Sequence, residues 1–525
     1  MNSLDIVTTE NEQFKEHYNR ILKKVELKKL MEYEPTKDEI TKVFDIIIDF
    51  IKSNKRKVYG GYALNKLLIS KNPSLAIYDE IDIPDIEFYS PDPMKDLIKL
   101  CDTLHEKGFK NIIGQEAQHK GTYSIFVNFQ LYCDISYMST NIYNKCRFVQ
   151  LDGFNLIHPW FITIDFFRMF TDPIISYWRL EKHFVRYLKL QKSFPLPTIN
   201  KPLIIEPYKT ENIRKSINLL EDFLAQKTTT IFTGFYVYNY YLTNSNFNKS
   251  DGRFKQVHIP YLEVYSTEYI KDGLDVIKFI NELPEELSKN ISYNEFYPFF
   301  VFYGYNTVFY YNDNDEKIPI LYLYSNNNKC IPFKQVSYIP SDNKFKKTKN
   351  DLINIGSFDF NILHALIILV KVRVDDDNDW NDIIYTLING LVSFRKSYFK
   401  KNKKTLYDDT IYEGFVIDCK GETMAPDREK RLLMQIRKKL GKPAYYRYES
   451  GVSKHPTHYN FPNSSGNMIK NKSNFKLIDE NLNSKIDDEL ENEEKINEED
   501  DNEEIKNNFV DKINISESDN SESSI

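Results

Sequence analysis

The chain has little of what marks a secreted or membrane-spanning protein. Its 525 residues include five cysteines, Cys101, Cys133, Cys146, Cys330 and Cys419, with no CxxC pair among them. Scattered cysteines in odd number read as reduced thiols in a cytosol-like compartment and argue against a disulfide framework. The start, Met1-Asn2-Ser3-Leu4-Asp5, lacks the basic and then apolar pattern of a secretory signal. No uninterrupted apolar run is long enough to cross a bilayer, and Ile362 to Val370 is far too short. The expectation is a soluble protein that is not secreted. Apolar residues are also slightly scarce, at 41 %, yet 14 % of the chain is aromatic. Cores built from Tyr and Phe bury large areas per residue, and this length suits roughly two or three domains.

The modest net charge of -6 conceals an asymmetry. Asp479 to Ile525 holds 18 acidic and 4 basic residues, which leaves residues 1–478 at +8. A mildly basic body attracts a polyanion. The acidic tail competes for the same groove or keeps the protein soluble. Beyond Tyr459 the chain is rich in Asn, Ser, Asp and Glu, and disorder is expected there.

What is present is an ordered set of motifs. Val43, Phe44, Ile47, Ile48 and Ile51 recur at helical spacing. Gly60-Gly61 opens a helix-like stretch. Ile81 to Tyr89 reads as a strand ended by Pro91 and Pro93, and a helix follows from Met94 to Lys107. Tyr123 to Asn128 and Gln130 to Tyr137 read as a strand pair, and Trp160 to Phe170 as a helix. Side chains alternate along a strand, so Asp85 and Glu87 face one side together while Ile86 faces the core. Asp82 is out of phase with them. Asp134 lies in the later run Leu131 to Ile135 and joins them from a neighbouring strand. Three hard oxygen donors on a rigid sheet suit magnesium, which binds phosphates through one or two carboxylates.

The pattern then recurs. Phe232-Thr233-Gly234-Phe235 echoes Tyr59-Gly60-Gly61-Tyr62, and Pro260 to Glu268 echoes Pro84 to Asp92. Phe360 to His364 echoes Phe154 to His158, so the two histidines read as structural. Three echoes in one order indicate duplication. The second copy has Tyr261 in place of Asp85, and Pro319 to Leu323 offers no counterpart of Asp134. Glu263 remains as a relic or a surface acid.

Other features have blander readings. Asp375-Asp376-Asp377 reads as a solvent-facing loop. His455 and His458 lack a third zinc ligand. Lys400 to Lys404 reads as a helix end. Arg428 to Lys442 is basic, and Tyr445, Tyr446 and Tyr448 surround Arg447, a pattern on which unpaired RNA bases stack. Arg179, Lys182, Arg186 and Lys189 lie on the helix Ile174 to Leu190, either as an RNA-facing row or as a surface helix with local ion pairs. Ser193 to Pro207 reads as an interdomain linker.

With the glycine turn, the Asp-x-Glu strand and Asp134 in hand, the chain resembles the DNA polymerase beta-like nucleotidyltransferases. An active copy followed by a degenerate one, with Thr171-Asp172-Pro173 and Trp178-Arg179-Leu180-Glu181-Lys182, is similar to the catalytic subunit of the poxvirus-type poly(A) polymerases, in a large-DNA-virus branch. The resemblance implies an α+β fold with an N-terminal helical region over 1–42 and a catalytic palm domain over 43–200. A degenerate nucleotidyltransferase-like domain over 208–458 and a disordered acidic tail over 459–525 complete it. It implies template-independent addition of AMP from ATP to an RNA 3′ end, with two Mg²⁺ or Mn²⁺ ions held by Asp85, Glu87 and Asp134. Gly60, Gly61, Tyr62, Asn65 and Lys66 would bind the nucleotide, although relatives have Ser or Thr where Tyr62 stands. RNA contacts would fall on Arg179, Lys182, Arg186, Arg437, Lys438, Tyr446 and Arg447. The partners implied are RNA and either a second copy or a separate processivity subunit, with no membrane. The setting implied is a virus particle and the infected-cell cytoplasm. Two alternatives stay open: another RNA nucleotidyltransferase (CCA-adding, oligoadenylate or uridylyl), or an RNA-binding processivity scaffold with a dead palm.

Overall fold

A computed structural model describes residues 17–18, 20–25, 28, 37–78, 84–197, 202–245, 247, 254–314, 316–342, 352–377, 379–453 and 465–469. It contains two mixed sheets flanked by helices, each of seven strands with a short eighth added at one edge, Arg447–Glu449 in the first and Cys419–Lys420 in the second. After helix α1 (Lys37–Ser53), the first sheet is built from β1 (Lys57–Tyr59), β2 (Ile86–Ser90), β3 (Ile112–Glu116), β4 (Thr122–Val127), β5 (Gln130–Tyr137), β6 (Phe148–Leu151) and β7 (Phe154–Ile157). Its order is β3-β4-β5-β2-β1-β7-β6. Between these strands run α2 (Gly60–Lys71), α3 (Pro93–Glu106) and α4 (Thr140–Lys145), and α5 (Pro159–Phe170) and α6 (Leu180–Ser193) follow them.

The second sheet comprises β8 (Thr230–Phe232), β9 (Leu262–Ser266), β10 (Ile291–Phe296), β11 (Asn306–Asp313), β12 (Glu316–Ser325), β13 (Ile331–Ser337) and β14 (Leu352–Gly356), in the order β10-β11-β12-β9-β8-β14-β13. Its helices are α7 (Glu211–Ala225), α8 (Gly234–Asn244), α9 (Tyr269–Glu282), α10 (Phe358–Val374), α11 (Asp379–Asn402) and α12 (Pro426–Lys439). The two seven-stranded plans coincide. β1 pairs β2 antiparallel and β7 parallel, and β2 pairs β5 parallel. In the second sheet β8 pairs β9 antiparallel and β14 parallel, and β9 pairs β12 parallel.

Local chemistry sets the element ends. Asp92 accepts a hydrogen bond from the Lys95 N–H at 3.2 Å and Pro93 fills the first turn, so α3 starts there. Along α1, Val43, Phe44, Ile47, Phe50 and Ile51 are buried at spacings of three and four, and burying each such side chain stabilises by about 1.5–3 kcal/mol.

Several sequence expectations change. The strand expected over Ile81 to Tyr89 spans only Ile86–Ser90, with Asp85 just ahead of it; residues 79–83, Asp82 among them, lie outside the described residues. The third echo joins unlike elements, because Phe154–Ile157 is a strand whereas Phe360 to His364 lies inside α10. The strand equivalent to β7 is β14. Cys330 and Cys419 form a disulfide, correcting the reading of reduced thiols throughout: β13 pairs antiparallel with Cys419–Lys420 and brings the two Cα atoms to 5.3 Å. Cys101, Cys133 and Cys146 are free and buried.

Arg447–Glu449, grouped with the second domain in the sequence reading, hydrogen-bonds to β3 on the edge of the first sheet. Ser465 to Ile469, expected to be disordered, bonds along the end of β10: Tyr297 N–H donates to the Asn467 carbonyl and Ile469 N–H to that of Glu295. Other tail residues, and His455 and His458, fall outside the described residues. Among the described residues no helix is long and apolar enough to cross a membrane.

Candidate active site

Gly60 begins α2 at φ +70°, a left-handed conformation that costs a side-chain-bearing residue roughly 1–2 kcal/mol. A Cβ there would also strike the Glu87 carboxylate. The glycine therefore lets the helix N-terminus close onto β2, where Glu87 Oε2 accepts the Gly61 N–H at 3.2 Å. Gly61 has its own need for a missing side chain, since the Tyr78 phenol lies over it.

Glu87 pairs in parallel register with Asp134 on β5. Parallel neighbours lie about 4.8 Å apart, so the two carboxylates share one face. The Ser124 hydroxyl donates to Asp134 Oδ1 at 2.6 Å. Asp85 is exposed at the entrance to β2, and its negative field reaches both other acids. Burial first, then repulsion from Asp85 and Asp134, pushes the Glu87 carboxyl up to about 7. Burial raises Asp134 as well, while Ser124 opposes that rise. Among the described residues no Lys or Arg forms an ion pair with any of the three. Nor does any group of three His, Cys, Asp or Glu close to metal-holding distance among them. The structure thus brings Glu87 and Asp134 side by side and leaves Asp85 at the rim. Hard, uncompensated oxygen donors are the ligand type that Mg²⁺ or Mn²⁺ takes.

The other expected nucleotide contacts are partly engaged elsewhere. Asn65 Oδ1 accepts the Ile77 N–H at 2.8 Å, which fixes the turn carrying Tyr78. Lys66 reaches Asp152 at 3.3 Å and sits over the Phe154 ring. Tyr62 packs edge-on against Phe154. Of the RNA candidates, Arg186 lies over the Tyr78 ring at 5.2 Å and Arg179 over Trp178 at 4.1 Å, and Lys182 is exposed. Tyr177 and Trp178 beside them are 73 % and 64 % exposed. The C-terminal candidates fare differently. Arg437 makes two hydrogen bonds to the Glu116 carboxylate, at 2.6 and 2.9 Å, and Tyr446 is buried edge-on to Tyr123. Both are spent on docking α12 and its following strand to the first sheet. Arg447 pairs with Glu449 at 2.6 Å, while Lys438 is exposed.

Sequence reasoning missed several neighbours. Ser124 faces Asp134 only because a register shift between Ile125 and Phe126 offsets the β4–β5 hairpin. Tyr59 OH, Ser136 Oγ and Thr122 Oγ1 form a hydroxyl chain at 2.7 and 2.8 Å. Asp165 on α5 adds a negative field at Glu87 and pairs with Arg168 at 3.1 Å. Its signal was legible as a lone acid in the apolar run Phe161 to Phe167.

The second sheet shows what replaces such a site. Gly234 has φ +63°, and a Cβ there would strike Glu263. Opposite Glu263 on β12 stands Tyr322, where the first sheet has Asp134. Tyr261 packs on Tyr322 with ring centroids 4.8 Å apart. Buried Glu263 bonds to His364 Nε2 at 2.9 Å. Phe161 packs on Tyr89 in the first unit and Phe360 on Tyr265 in the second. That correspondence sets His364 of α10 against Asp165 of α5, not against His158. His158 instead accepts the Trp160 N–H at the start of α5.

Residues 45–176 match the family model "Poly(A) polymerase catalytic subunit". Residues 189–479 match the model "APMV, Putative poly(A) polymerase, catalytic subunit, C-terminal". A "Putative poly(A) polymerase catalytic subunit" of Acanthamoeba polyphaga mimivirus is 33 % identical over 515 residues, covering 93 % of this chain and 87 % of that one. The protein of the same description from African swine fever virus (strain Badajoz 1971 Vero-adapted) is 30 % identical over 167 residues, covering 31 % of this chain and 35 % of its own. The crystal structure of the Megavirus polyadenylate synthase superposes with a TM-score of 0.74 at 32 % identity, over 88 % of this chain and 92 % of that one. The chain belongs to the poly(A) polymerase catalytic subunit family.

Proposed function

We propose that the protein is a template-independent polynucleotide adenylyltransferase that extends RNA 3′ ends with AMP from ATP. The RNA 3′-hydroxyl gives up its proton to solvent as its oxygen forms a bond to the α-phosphorus, the bond from that phosphorus to the bridging oxygen breaks, and pyrophosphate leaves. The observation that carries the reading is the in-register pair Glu87 and Asp134, with no basic partner among the described residues. Asp85, Glu87 and Asp134 would hold two divalent cations, which supply Lewis-acid stabilisation of the attacking and leaving oxygens. Ser124 orients Asp134 on the side of the attacking hydroxyl. The glycine turn lets a helix N-terminus approach the phosphates. Tyr78 and Arg186 flank that turn, and Lys182 on α6 with Arg179 in the turn just before it extends a basic row for the RNA backbone.

The first unit, over 43–200, would be the palm domain and the second a degenerate copy. Matching strand plans support this, as do the paired replacements Tyr261 and Tyr322. In the second unit His364 hydrogen-bonds to Glu263, which stands where Glu87 stands in the first.

Incubation of the protein with labelled RNA, ATP and Mg²⁺ or Mn²⁺ tests the reading. ATP-dependent lengthening without a template is expected. Equal extension with every nucleotide would point to another nucleotidyltransferase. RNA binding with no turnover would point to a scaffold.

A further inference from the structure

A shallow cleft opens where α5 of the first unit meets α10 of the second. Its floor is apolar, with Phe161 and Ile164 from α5 and Leu366 and Leu369 from α10, and Trp160 stands in its wall. Arg373 lies over the Trp160 and Tyr385 rings at 5.5 and 5.8 Å. Its Nη2 donates to the Tyr385 hydroxyl at 2.7 Å and its Nε to Asn381 Oδ1 at 3.0 Å. These neutral partners hold the guanidinium in place without cancelling its charge. Arg147, on the loop after α4, is exposed in the same cleft and has no ion-pair partner among the described residues. Burial first, and the Arg147 charge as well, lower the Arg373 guanidinium from its ordinary range.

Two acids lie nearby: Asp165 follows Ile164 on α5 and pairs with Arg168, and Asp382 adds a negative field at Tyr385. Lys145 pairs with Asp376 at 2.6 Å. Lys57 donates to the Cys146 carbonyl beneath. Burial and the two arginines hold His158 down to about 4. Its Nδ1 accepts from the Trp160 N–H at 3.3 Å, so the neutral ring carries its proton on Nε2 as a donor.

Two guanidiniums without an ion-pair partner among the described residues thus line one apolar, aromatic cleft. Guanidinium forks bind phosphate oxygens bidentately, and an indole beside an apolar floor accepts a flat heterocycle. We propose that this cleft binds a nucleoside phosphate, its base against Trp160 and the floor, its phosphate between Arg147 and Arg373. The ligand would come either from a free nucleotide or from one nucleotide of an RNA strand.

The test uses the full chain carrying Asp134→Asn, without divalent cations. Labelled AMP and a short labelled oligoadenylate are titrated separately and read by anisotropy and tryptophan quenching. At least one ligand should bind. Arg147→Glu should weaken that ligand by about tenfold or more, the loss of one charge-assisted contact, and Arg147→Lys should recover part of it. Dependence on Arg147 for AMP identifies a free nucleotide, and dependence for the oligomer alone identifies a strand nucleotide. Either supports the site. Unchanged affinity for both ligands in a folded Arg147→Glu protein, checked by its melting curve, overturns it. Because binding is read without turnover, a failed RNA-extension assay would sink the polymerase reading and leave this one standing.

Discussion

Glu87 and Asp134 face each other across two parallel strands, and Ser124 holds Asp134 from the strand beyond. Two half-buried carboxylates in this position destabilise the protein unless a cation or a proton intervenes. Sheet architecture alone does not require them, since β9 and β12 pair in the same way around Glu263 and Tyr322.

Removing either acid should therefore abolish chemistry and spare the fold. Asp134→Asn and Glu87→Gln are expected to slow AMP addition on the order of a thousandfold. Melting temperatures should hold or rise. Full extension activity in Asp134→Asn would refute the assignment of this carboxylate.

The Glu87 carboxyl makes stability pH-dependent. Its folded pKa of about 7 lies above the ordinary 4.5, so the native state binds the proton more tightly than the unfolded chain. That contribution is complete below about pH 4.5 and disappears as pH rises through 7, an effect on the order of 3 kcal/mol. In chelator, wild-type melting temperature should fall across this window more steeply than that of Glu87→Gln. Parallel curves would remove the argument.

The two left-handed glycines separate site from scaffold. Gly60→Ala and Gly234→Ala each force a side chain into positive φ against a glutamate. Each should lose roughly 1–2 kcal/mol or more of stability. Only Gly60→Ala should also cut kcat measured below the melting range, because only Glu87 belongs to the proposed catalytic set. Equal loss of kcat in both would speak against a silent second copy.

His364→Leu should destabilise by about 1–3 kcal/mol, because buried Glu263 then has no partner for its Oε1. Adding Glu263→Gln should restore much of that loss. A double-mutant cycle by chemical denaturation measures the coupling, and a coupling near zero would show that the pair does not act together.

Much of this was legible one-dimensionally because its signals are local. Alternation put Glu87 on a face opposite Ile86, the proline after Asp92 marked the start of α3, and Gly60-Gly61 marked a strand-to-helix turn. The second echo was sound in register, since Glu263 occupies the position of Glu87, whereas the first was one residue out, because Gly234 stands where Gly60 does and not where Gly61 does. The third failed because short apolar strings fit strand and helix alike. Phe360 to His364 matched Phe154 to His158 in letters while lying in a helix.

The amino-acid order by itself determined which residue types were available, that a glycine turn precedes a strand bearing Glu87, and that Tyr261 stands in the second segment where Asp85 stands in the first, because these depend on neighbours within a few positions. Only the tertiary structure decided the rest. A single-residue register shift set Ser124 against Asp134, antiparallel pairing across 89 residues joined Cys330 to Cys419, and the return of Arg447–Glu449 to β3 spent Arg437 and Tyr446 on packing. Those outcomes depend on contacts between distant segments, and no local pattern encodes the distance between two side chains until the chain between them has folded.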